Sequence, residues 1–284
     1  MSESLLNSSR FDTDRLQRYA IHAGLYGVAI LFVLPYIYMV SLSVQPTEFA
    51  ISSVPHLIPP AFTLSHYSDL LTDSLIVQWV INTFIVATVA TILVLVVDSM
   101  IAFSLTRLRW PGQSILLSII VASFMVPFYV NLVPLFTLVA DLGLVSDLLG
   151  VILPAVANPL GVFLLYQFFR DIPEEYDEAA RIDGFSTFQI YSRIILPISK
   201  PILSALAIFV FVFNWNQFIW PVVVLQDQAT FTLPLGLVVL RDTFTFQPGL
   251  TMASGVIAGL PLFVLFLLLQ DRIIQAVQFQ GTTG

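Results

Sequence analysis

The residues with the clearest chemical pattern lie between residues 171 and 201, which read DIPEEYDEAARIDGFSTFQIYSRIILPISKP. Asp171 and Glu174 have the spacing of a capping box, which predicts that a helix begins here. Acidic side chains follow in its first turns, where the helix dipole stabilises negative charge, and Gly184 can adopt the left-handed conformation that ends a helix. Ser186 and Gln189 form a second capping box. The stretch therefore predicts two short helices joined by a glycine turn.

The first of these two helices has a surface that suits protein docking. Ala179 and Ala180 give it a smooth side that another protein can approach closely, and Glu178 can pair with Arg181 three residues later. A solvated amphipathic loop has a similar composition, so the residues alone leave both interpretations open.

A second group of polar and aromatic side chains interrupts an apolar segment further along the chain. It consists of Asn214, Trp215, Asn216, Gln217 and Trp220. Amides hydrogen-bond hydroxyl groups and aromatic rings pack against sugar faces, so this group could line the path of a neutral polyol. The alternative is structural, because the amides could satisfy backbone groups near a kink and the rings could mark a membrane interface.

One carboxylate, Asp98, falls inside an apolar segment. A charge at the centre of a membrane helix costs about 2.5–3.5 kcal/mol on insertion scales. Asp98 is therefore expected to face the inside of a helix bundle or a wet cavity. A proton- or ion-coupling role fits this placement, and a hydrogen-bonded structural role is the simpler expectation.

Several kinds of chemistry are excluded by what the sequence contains. It has no cysteine, and its three histidines, His22, His56 and His66, predict no metal site. A P-loop needs a glycine-rich run that ends in Lys-Ser or Lys-Thr, but the one lysine, Lys200, is followed by Pro201. The sequence therefore predicts no catalytic residue, no metal and no bound cofactor in this chain, and it predicts that the chain is not an enzyme.

The composition places the chain in a membrane. Of its 284 residues, 57% are hydrophobic and only 10% are charged, and the mean hydropathy is +0.91. A soluble domain carries about 25% charged residues, so a cytosolic enzyme and a nucleic-acid-binding protein are both excluded. We expect an all-α integral membrane protein with a cytoplasmic tail at 1–18 and a transmembrane domain at 19–284. Its six spans are predicted at about 19–44, 77–105, 114–138, 148–169, 202–225 and 252–269.

Prolines interrupt several of the six predicted spans. The third, fourth and fifth contain Pro127, Pro134, Pro154, Pro159 and Pro221. The backbone groups that proline leaves without partners need neighbouring helices or water. A bundle around a wet path supplies both, and we prefer this interpretation to a tightly packed structural bundle.

The basic residues predict the orientation of the chain. Ten of the eleven lie on one side of the predicted spans, and only Arg241 lies on the other. Because arginine and lysine accumulate in cytoplasmic segments, both termini and the 171–201 loop are predicted to be cytoplasmic in a multi-pass protein of the cell membrane.

Three short runs in this loop resemble the EAA loop of the permease subunits of ABC importers. They are Glu178-Ala179-Ala180, Asp183-Gly184 and Ile195-Leu196-Pro197, at the family's spacing. After about Leu16, nearly the whole chain is similar to the carbohydrate-type branch, and in particular to the smaller, maltose-permease-like subunit with six spans. The similar runs are those at 131–135, 153–154, 158–159, 163–164, 214–216, 233–237 and 259–261.

The resemblance implies the architecture of a type I ABC importer, in which this loop is the coupling helix that docks on an ATPase subunit. It assigns that docking to Glu178, Ala179, Ala180, Arg181, Asp183, Gly184, Leu196 and Pro197. The implied partners are a second permease subunit, which we expect to be a paralogue, two ATPase subunits that hold ATP and Mg²⁺, and an extracytoplasmic solute-binding protein. The implied solute is a sugar or a related polyol, and no nucleic acid is involved.

The residues leave two other functions open as alternatives. One is a secondary transporter or channel that uses Asp98 and needs no ATPase. The other is an ABC permease with the same core for a non-sugar solute, such as a peptide, an amino acid or phosphate.

Overall fold

The computed structural model describes the backbone of residues 2–50, 57–243 and 247–281 and the side chains of residues 18–49, 57–241 and 247–270. In these ranges the regular structure is helical, and no strand occurs. The all-α prediction is therefore confirmed. The α-helices are α1 (Ser2–Ser43), α2 (Thr47–Ala50), α3 (Ser65–Thr72), α4 (Ile76–Arg107), α5 (Gln113–Ser123), α6 (Leu132–Asp141), α7 (Leu148–Ala155), α8 (Pro159–Arg170), α9 (Glu175–Ile182), α10 (Thr187–Ile190), α11 (Leu196–Ile198), α12 (Lys200–Trp215), α13 (Ile219–Val224), α14 (Leu233–Thr243) and α15 (Pro248–Gly281).

Four helical segments are long and apolar enough to cross a membrane. They are Arg18–Ser43, Ile76–Arg107, Leu148–Arg170 and Pro248–Gln270. Two further segments qualify only as bent pairs, Gln113–Ser123 with Phe128–Asp141 and Thr187–Ile198 with Lys200–Trp215. The described part of the chain reaches six spans when each bent pair counts as one.

The bends lie beside prolines. The first bent pair turns by 99°, and Pro127 in its break has the extended angles φ −61° and ψ 136°. The second pair turns by 77° between Pro197 and Pro201. Because proline has no N–H to donate and clashes with the preceding helical turn, a straight helix cannot continue through these positions.

Helix α4 lies at the centre of its bundle, where it packs against α7, α8, α12 and α14. Its buried side chains recur every three or four residues, which places them on one face of the helix. Small residues on this face, Ala87, Ala90 and Ala102, are completely buried and allow neighbouring helices to approach closely. The face comprises Trp79, Thr83, Val86, Ala87, Ala90, Val94, Asp98, Ala102 and Leu105.

The first turns of α4 are tied to the segment before α14. The indole of Trp79 donates a hydrogen bond to the carbonyl of Gln228 at 2.8 Å, and the Asn82 amide donates to Ala229 and Phe231 at 2.8 and 2.9 Å. Gly236 in α14 lies directly against the Trp79 ring, and a Cβ at this position would collide with the indole. The absence of a side chain at Gly236 therefore sets how closely α14 packs on α4.

A separate small unit contains α1, α2, α3 and the beginning of α15. Within it, His66 is buried and its Nε2 lies 2.9 Å from the Gln45 carbonyl oxygen. Gly249 provides the space for the His66 ring. His66 therefore has a structural hydrogen bond, and His56 lies outside the described residues.

We expect Gly236→Ala to lower the melting temperature, because a methyl group forced against Trp79 overpacks the contact and costs about 1–3 kcal/mol. The four tryptophans allow unfolding in detergent to be followed by intrinsic fluorescence. Gly259→Ala is the matched control, because a Cβ there meets nothing within 4 Å and alanine favours a helix. Equal melting temperatures for the two variants would contradict the contact.

Candidate functional site

Helix α9 begins later than the sequence suggests. The predicted capping box of Asp171 and Glu174 is wrong, because Asp171 follows the last residue of α8 and α9 starts at Glu175 without a side-chain cap. Pro173 explains the delay, since it disfavours helical angles at Ile172 before it. The turn after α9 agrees with the prediction. Gly184 has φ +81°, and the Phe185 N–H donates to the Ala180 carbonyl at 2.9 Å.

The second capping box is confirmed. The Ser186 side chain accepts a hydrogen bond from the Gln189 N–H, and the Gln189 side chain accepts one from the Ser186 N–H at 2.7 Å. The helix that starts here runs through α10, a π-helical turn at Tyr191–Ile195 and α11. Both ends of the 182–187 turn are therefore fixed by local hydrogen bonds.

A buried ion pair holds α9 against the end of α4. The Arg107 Nε lies 3.0 Å from the Asp177 Oδ2, with side chains 5% and 9% exposed. A terminal nitrogen of Arg107 also donates to the Ile172 carbonyl at 2.7 Å. Burial raises the pKa of Asp177 from its ordinary value, although the positive charges of Arg107 and Arg181 act to lower it. This contact joins the last residue of α4 to the loop.

An apolar cluster lies beneath the same loop. Tyr191 packs on the Phe103 ring at 5.2 Å between centroids, and its hydroxyl lies 2.8 Å from the Ser99 hydroxyl. Phe169 and Ile195 are fully buried in this cluster. The helix after Gly184 is therefore packed on α4 and α8 as part of the core.

Most of the predicted docking residues lie on the open side of the loop. Glu178, Ala179, Arg181, Asp183, Gly184 and Pro197 are exposed, and Leu196 is half-buried. Ala180 differs, because it is only 4% exposed and lies on the same face as Asp177. The prediction that Ala180 offers an open contact surface is therefore wrong, and its small size instead allows α9 to pack on its own chain. Among the described side chains, Glu178 and Arg181 do not form the predicted ion pair.

Large apolar side chains that sequence reasoning missed are exposed beside these residues. Tyr176 is 52% exposed and Ile182 is 86% exposed. A groove of about 590 Å³ runs between α9 and the following helix, and Tyr176, Ala179, Arg193 and Pro197 are among its lining residues. Exposed apolar side chains with charged neighbours are typical of a surface that another protein covers.

The amide and aromatic group lies at the break between α12 and α13. Asn214 and Asn216 donate hydrogen bonds to carbonyls one turn earlier in α12, at 2.9 and 2.8 Å. The indole of Trp215 donates to Ala258 at 3.3 Å, and that of Trp220 donates to Gly150 at 3.0 Å. The hydrogen bonds of the two amides match the structural alternative, in which they satisfy backbone groups near a kink.

Three members of the group nevertheless line a cavity of about 510 Å³. Asn214, Gln217 and Trp220 meet there with Asn158, which lies in the break between α7 and α8. The cavity does not include Trp215, which is buried, or Asn216, which is exposed elsewhere. Its remaining wall is mainly apolar and aromatic, and none of its lining residues is charged. The arrangement can bind a neutral solute with hydroxyl groups.

Asp98 is buried on the packed face of α4, at 1% exposure. Neither carboxylate oxygen has a hydrogen-bond partner among the described residues, so the expected hydrogen-bonded role is wrong. The carboxylate lies against Gly161 of α8, where an added Cβ would collide with it. Asp98 is not among the residues that line the cavity.

The residues that sequence reasoning missed are long-range partners. Arg107 and Asp177 are far apart in the chain. Taken alone, Arg107 indicates only a basic residue at the end of a span, and Asp177 indicates only an acidic residue in the first turns of a helix. Asn158 joins the cavity because a helix breaks at Pro159. The one local signal is the Asn-Pro pair at 158–159, an unusual polar interruption of an apolar segment.

Comparison with known proteins finds similar transport permeases. A family model described as the binding-protein-dependent transport system inner membrane component matches residues 99–279. The chain is 30% identical over 275 residues to the arabinooligosaccharides transport system permease protein AraQ of Halalkalibacterium halodurans, with 96% of this chain and 99% of that protein covered. It is 31% identical over 274 residues to the diacetylchitobiose uptake system permease protein NgcG of Streptomyces coelicolor, with 95% and 90% covered.

A solved structure has the same fold. The crystal structure is that of a bacterial ABC transporter involved in the import of the acidic polysaccharide alginate. One of its chains matches with a TM-score of 0.81 at 22% identity, over 91% of this chain and 97% of that chain. The overall fold of this chain is therefore one that is also seen by experiment.

Arg107 and Asp177 can be tested as a pair by a double-mutant cycle. We expect Arg107→Met alone to destabilise the protein by about 3–5 kcal/mol, because it leaves a buried carboxylate without its counter-ion. Arg107→Met with Asp177→Leu is expected to recover most of this loss, because burial opposes the charge on Asp177. Thermal unfolding of the four proteins gives the coupling free energy. Additive single effects would show that the two side chains do not interact.

Proposed function

Because the chain belongs to the family of binding-protein-dependent transport system inner membrane components, we propose that it is the permease subunit of an ATP-driven importer of a sugar or related polyol. As a member of this family it is a multi-pass protein of the cell membrane. The family is a transport component, and ATP hydrolysis in our proposal is carried out by separate subunits that hold ATP and Mg²⁺.

The ion pair between Arg107 and Asp177 is the observation that carries the coupling role. It connects α9 to α4, and α4 packs against α7, α8 and α12. A force applied to α9 therefore reaches the centre of the bundle through a buried contact. When two ATPase subunits close on ATP, they would move α9, and the bundle would follow as a rigid body that switches access to the path.

The exposed side of the loop is the surface we propose for the ATPase. Glu178, Arg181 and Asp183 supply charged contacts, while Tyr176 and Ile182 supply apolar area that water would otherwise cover. Buried apolar anchors with a charged rim are the usual anatomy of a protein interface. In this proposal Ala180 supports the loop from behind, and Gly184 provides the turn.

The cavity between the broken helices is the part of the path we propose for the solute. Asn158, Asn214 and Gln217 can hydrogen-bond hydroxyl groups, and Trp220 and the other aromatic residues of the lining supply aromatic surface. Since the lining carries no charge, the proposed solute is neutral. The similar permeases named for arabinooligosaccharides and diacetylchitobiose support a carbohydrate.

The full transporter in this proposal contains two permease chains, and the partner is expected to be a paralogue of this one. Both termini face the cytoplasm, in line with ten of eleven basic residues on that side of the spans. A solute-binding protein would deliver the sugar to the opposite face. A charged solute, such as phosphate or a free amino acid, would need charged groups that the lining of the cavity lacks.

Gly184→Val is expected to abolish binding-protein-stimulated ATPase activity and import while the protein still inserts. Gly184 has φ +81° and open space around it, so valine would strain the backbone turn without a clash. The measurements are binding-protein-stimulated ATPase activity and transport in vesicles, together with affinity purification of the tagged chain and identification of the bound ATPase subunit.

The matched control for Gly184→Val is Gly143→Val, because Gly143 has φ +70° and open space but lies in the turn after α6. We expect this variant to keep its ATPase partner. Normal import by Gly184→Val, or equal losses in both variants, would contradict the coupling role of the turn. If the wild-type chain itself purified without an ATPase, the proposed function would be wrong.

Asp98→Asn separates the proposed function from ion-coupled transport. Asp98 is buried against Gly161 and does not line the cavity. We therefore expect the variant to import solute in an ATP-dependent manner that is unaffected by collapse of the proton gradient. Import that needs Asp98 and the gradient, but no ATP, would favour the secondary transporter.

A further inference from the structure

A groove between α4, α12 and α15 is not used by the proposed function. It has a volume of about 480 Å³. Lys200 and Ser204 line it in the first turns of α12, and Ala207, Ile208 and Phe211 continue along the same helix. Leu265 contributes from α15. These apolar residues are half-buried and lie beside exposed ones such as Leu268, so the groove opens on the outer face of the spans.

The length of the groove matches one leaflet of a bilayer. From Lys200 to Phe211 the helix rises about 16 Å at 1.5 Å per residue. The hydrocarbon core of a bilayer is about 30 Å thick, so one leaflet contributes about 15 Å. Lys200 therefore lies at headgroup depth when Phe211 lies near the midplane.

The lining of the groove suits the acyl chain of a lipid. The walls are apolar apart from Thr91, Ser204 and Lys200. The Thr91 and Ser204 hydroxyls already donate to carbonyls of their own helices, at 2.6 and 2.8 Å.

The positive charge of Lys200 at the open end of the groove favours an anionic lipid headgroup. Lys200 is the only lysine of the chain, and its side chain is exposed at the end of the groove. Its ammonium group has no hydrogen-bond or ion-pair partner among the described side chains, and none of the groove-lining residues is acidic. A phosphate at headgroup depth would complement this charge.

We propose that this groove is a binding site for an anionic phospholipid. The lipid phosphate pairs with Lys200, and one acyl chain lies along Ala207, Ile208 and Phe211. The site belongs to the cytoplasmic leaflet, a detail that rests on the orientation in the proposed function. Since α12 also ends at the cavity, the lipid occupies the opposite end of a helix that lines the solute path.

The test is native mass spectrometry of the intact transporter after release from nanodiscs of phosphatidylcholine with phosphatidylglycerol. We expect the wild-type complex to retain phosphatidylglycerol in preference to phosphatidylcholine. Lys200→Gln should reduce that preference about fivefold, the effect of one basic residue at a membrane surface. Ala207→Trp fills the groove and should reduce the binding of both lipids.

Two control variants address general surface effects. Arg109→Gln removes a cation whose side chain is 94% exposed, and Leu268→Trp enlarges a side chain that is 75% exposed outside the groove. Both are expected to keep the wild-type lipid preference. If Arg109→Gln lost the preference as strongly as Lys200→Gln, or if Lys200→Gln kept it, the site would be overturned.

A single cysteine introduced in the groove distinguishes a bound lipid from a bound protein. Because the natural chain has no cysteine, Ser204→Cys is the only thiol in this subunit. We expect it to react with a maleimide-bearing lipid in the assembled complex. Protection from the lipid reagent, with cross-linking to the second permease, would overturn the lipid site. ATP-dependent import measured in parallel separates the two proposals, since a complex that imports normally but shows no lipid preference contradicts only the site.

Discussion

The buried contact between Arg107 and Asp177 is the constraint on which the arrangement of the loop depends. Besides this ion pair, Ala180 joins α9 to the apolar cluster around Tyr191. Desolvation makes such a pair expensive, and its attraction offsets that cost only when both partners stay in place. The contact therefore fixes the position of α9 on α4 more than it adds to the stability of the protein. The two helices either move together or separate at a large cost in free energy.

Helix α4 can serve as the other end of this connection because one face of it is packed along its whole length. Small residues allow α8 and α12 to approach α4 closely, and glycines on neighbouring helices leave space for two side chains of α4. Gly236 accommodates Trp79, and Gly161 accommodates Asp98. A helix held in this way transmits displacement, since a close-packed interior has little free volume in which to absorb it. The unpartnered carboxylate of Asp98 lies within this packed region and apart from the solute cavity.

Apart from the capping box of Asp171 and Glu174, the sequence predicts the local features of the fold well and the long-range ones poorly. Gly184 and the box of Ser186 and Gln189 depend on neighbours within a few residues, so their types alone reveal the turn. Apolar length likewise predicts helices long enough to cross a membrane. Prolines are a weaker signal for a break, because α1 and α15 continue through Pro35 and Pro261. The side of α9 that faces inward depends on Arg107, which is distant in the chain. For this reason the inward position of Ala180 and the pairing of Asp177 could not be read from the loop itself.

The same limit explains the mixed outcome at the break after α12. An amide in an apolar segment can bind a solute or satisfy the backbone, and the sequence does not distinguish these uses. In Asn214 the side-chain nitrogen donates to the Val210 carbonyl, and the same residue lines the cavity that we propose for the solute. Hydrogen bonds to the helix hold the amide in place before any solute arrives, which reduces the ordering cost of binding. A polar group that supports the break is thus also suited to the path, and the two interpretations describe one residue.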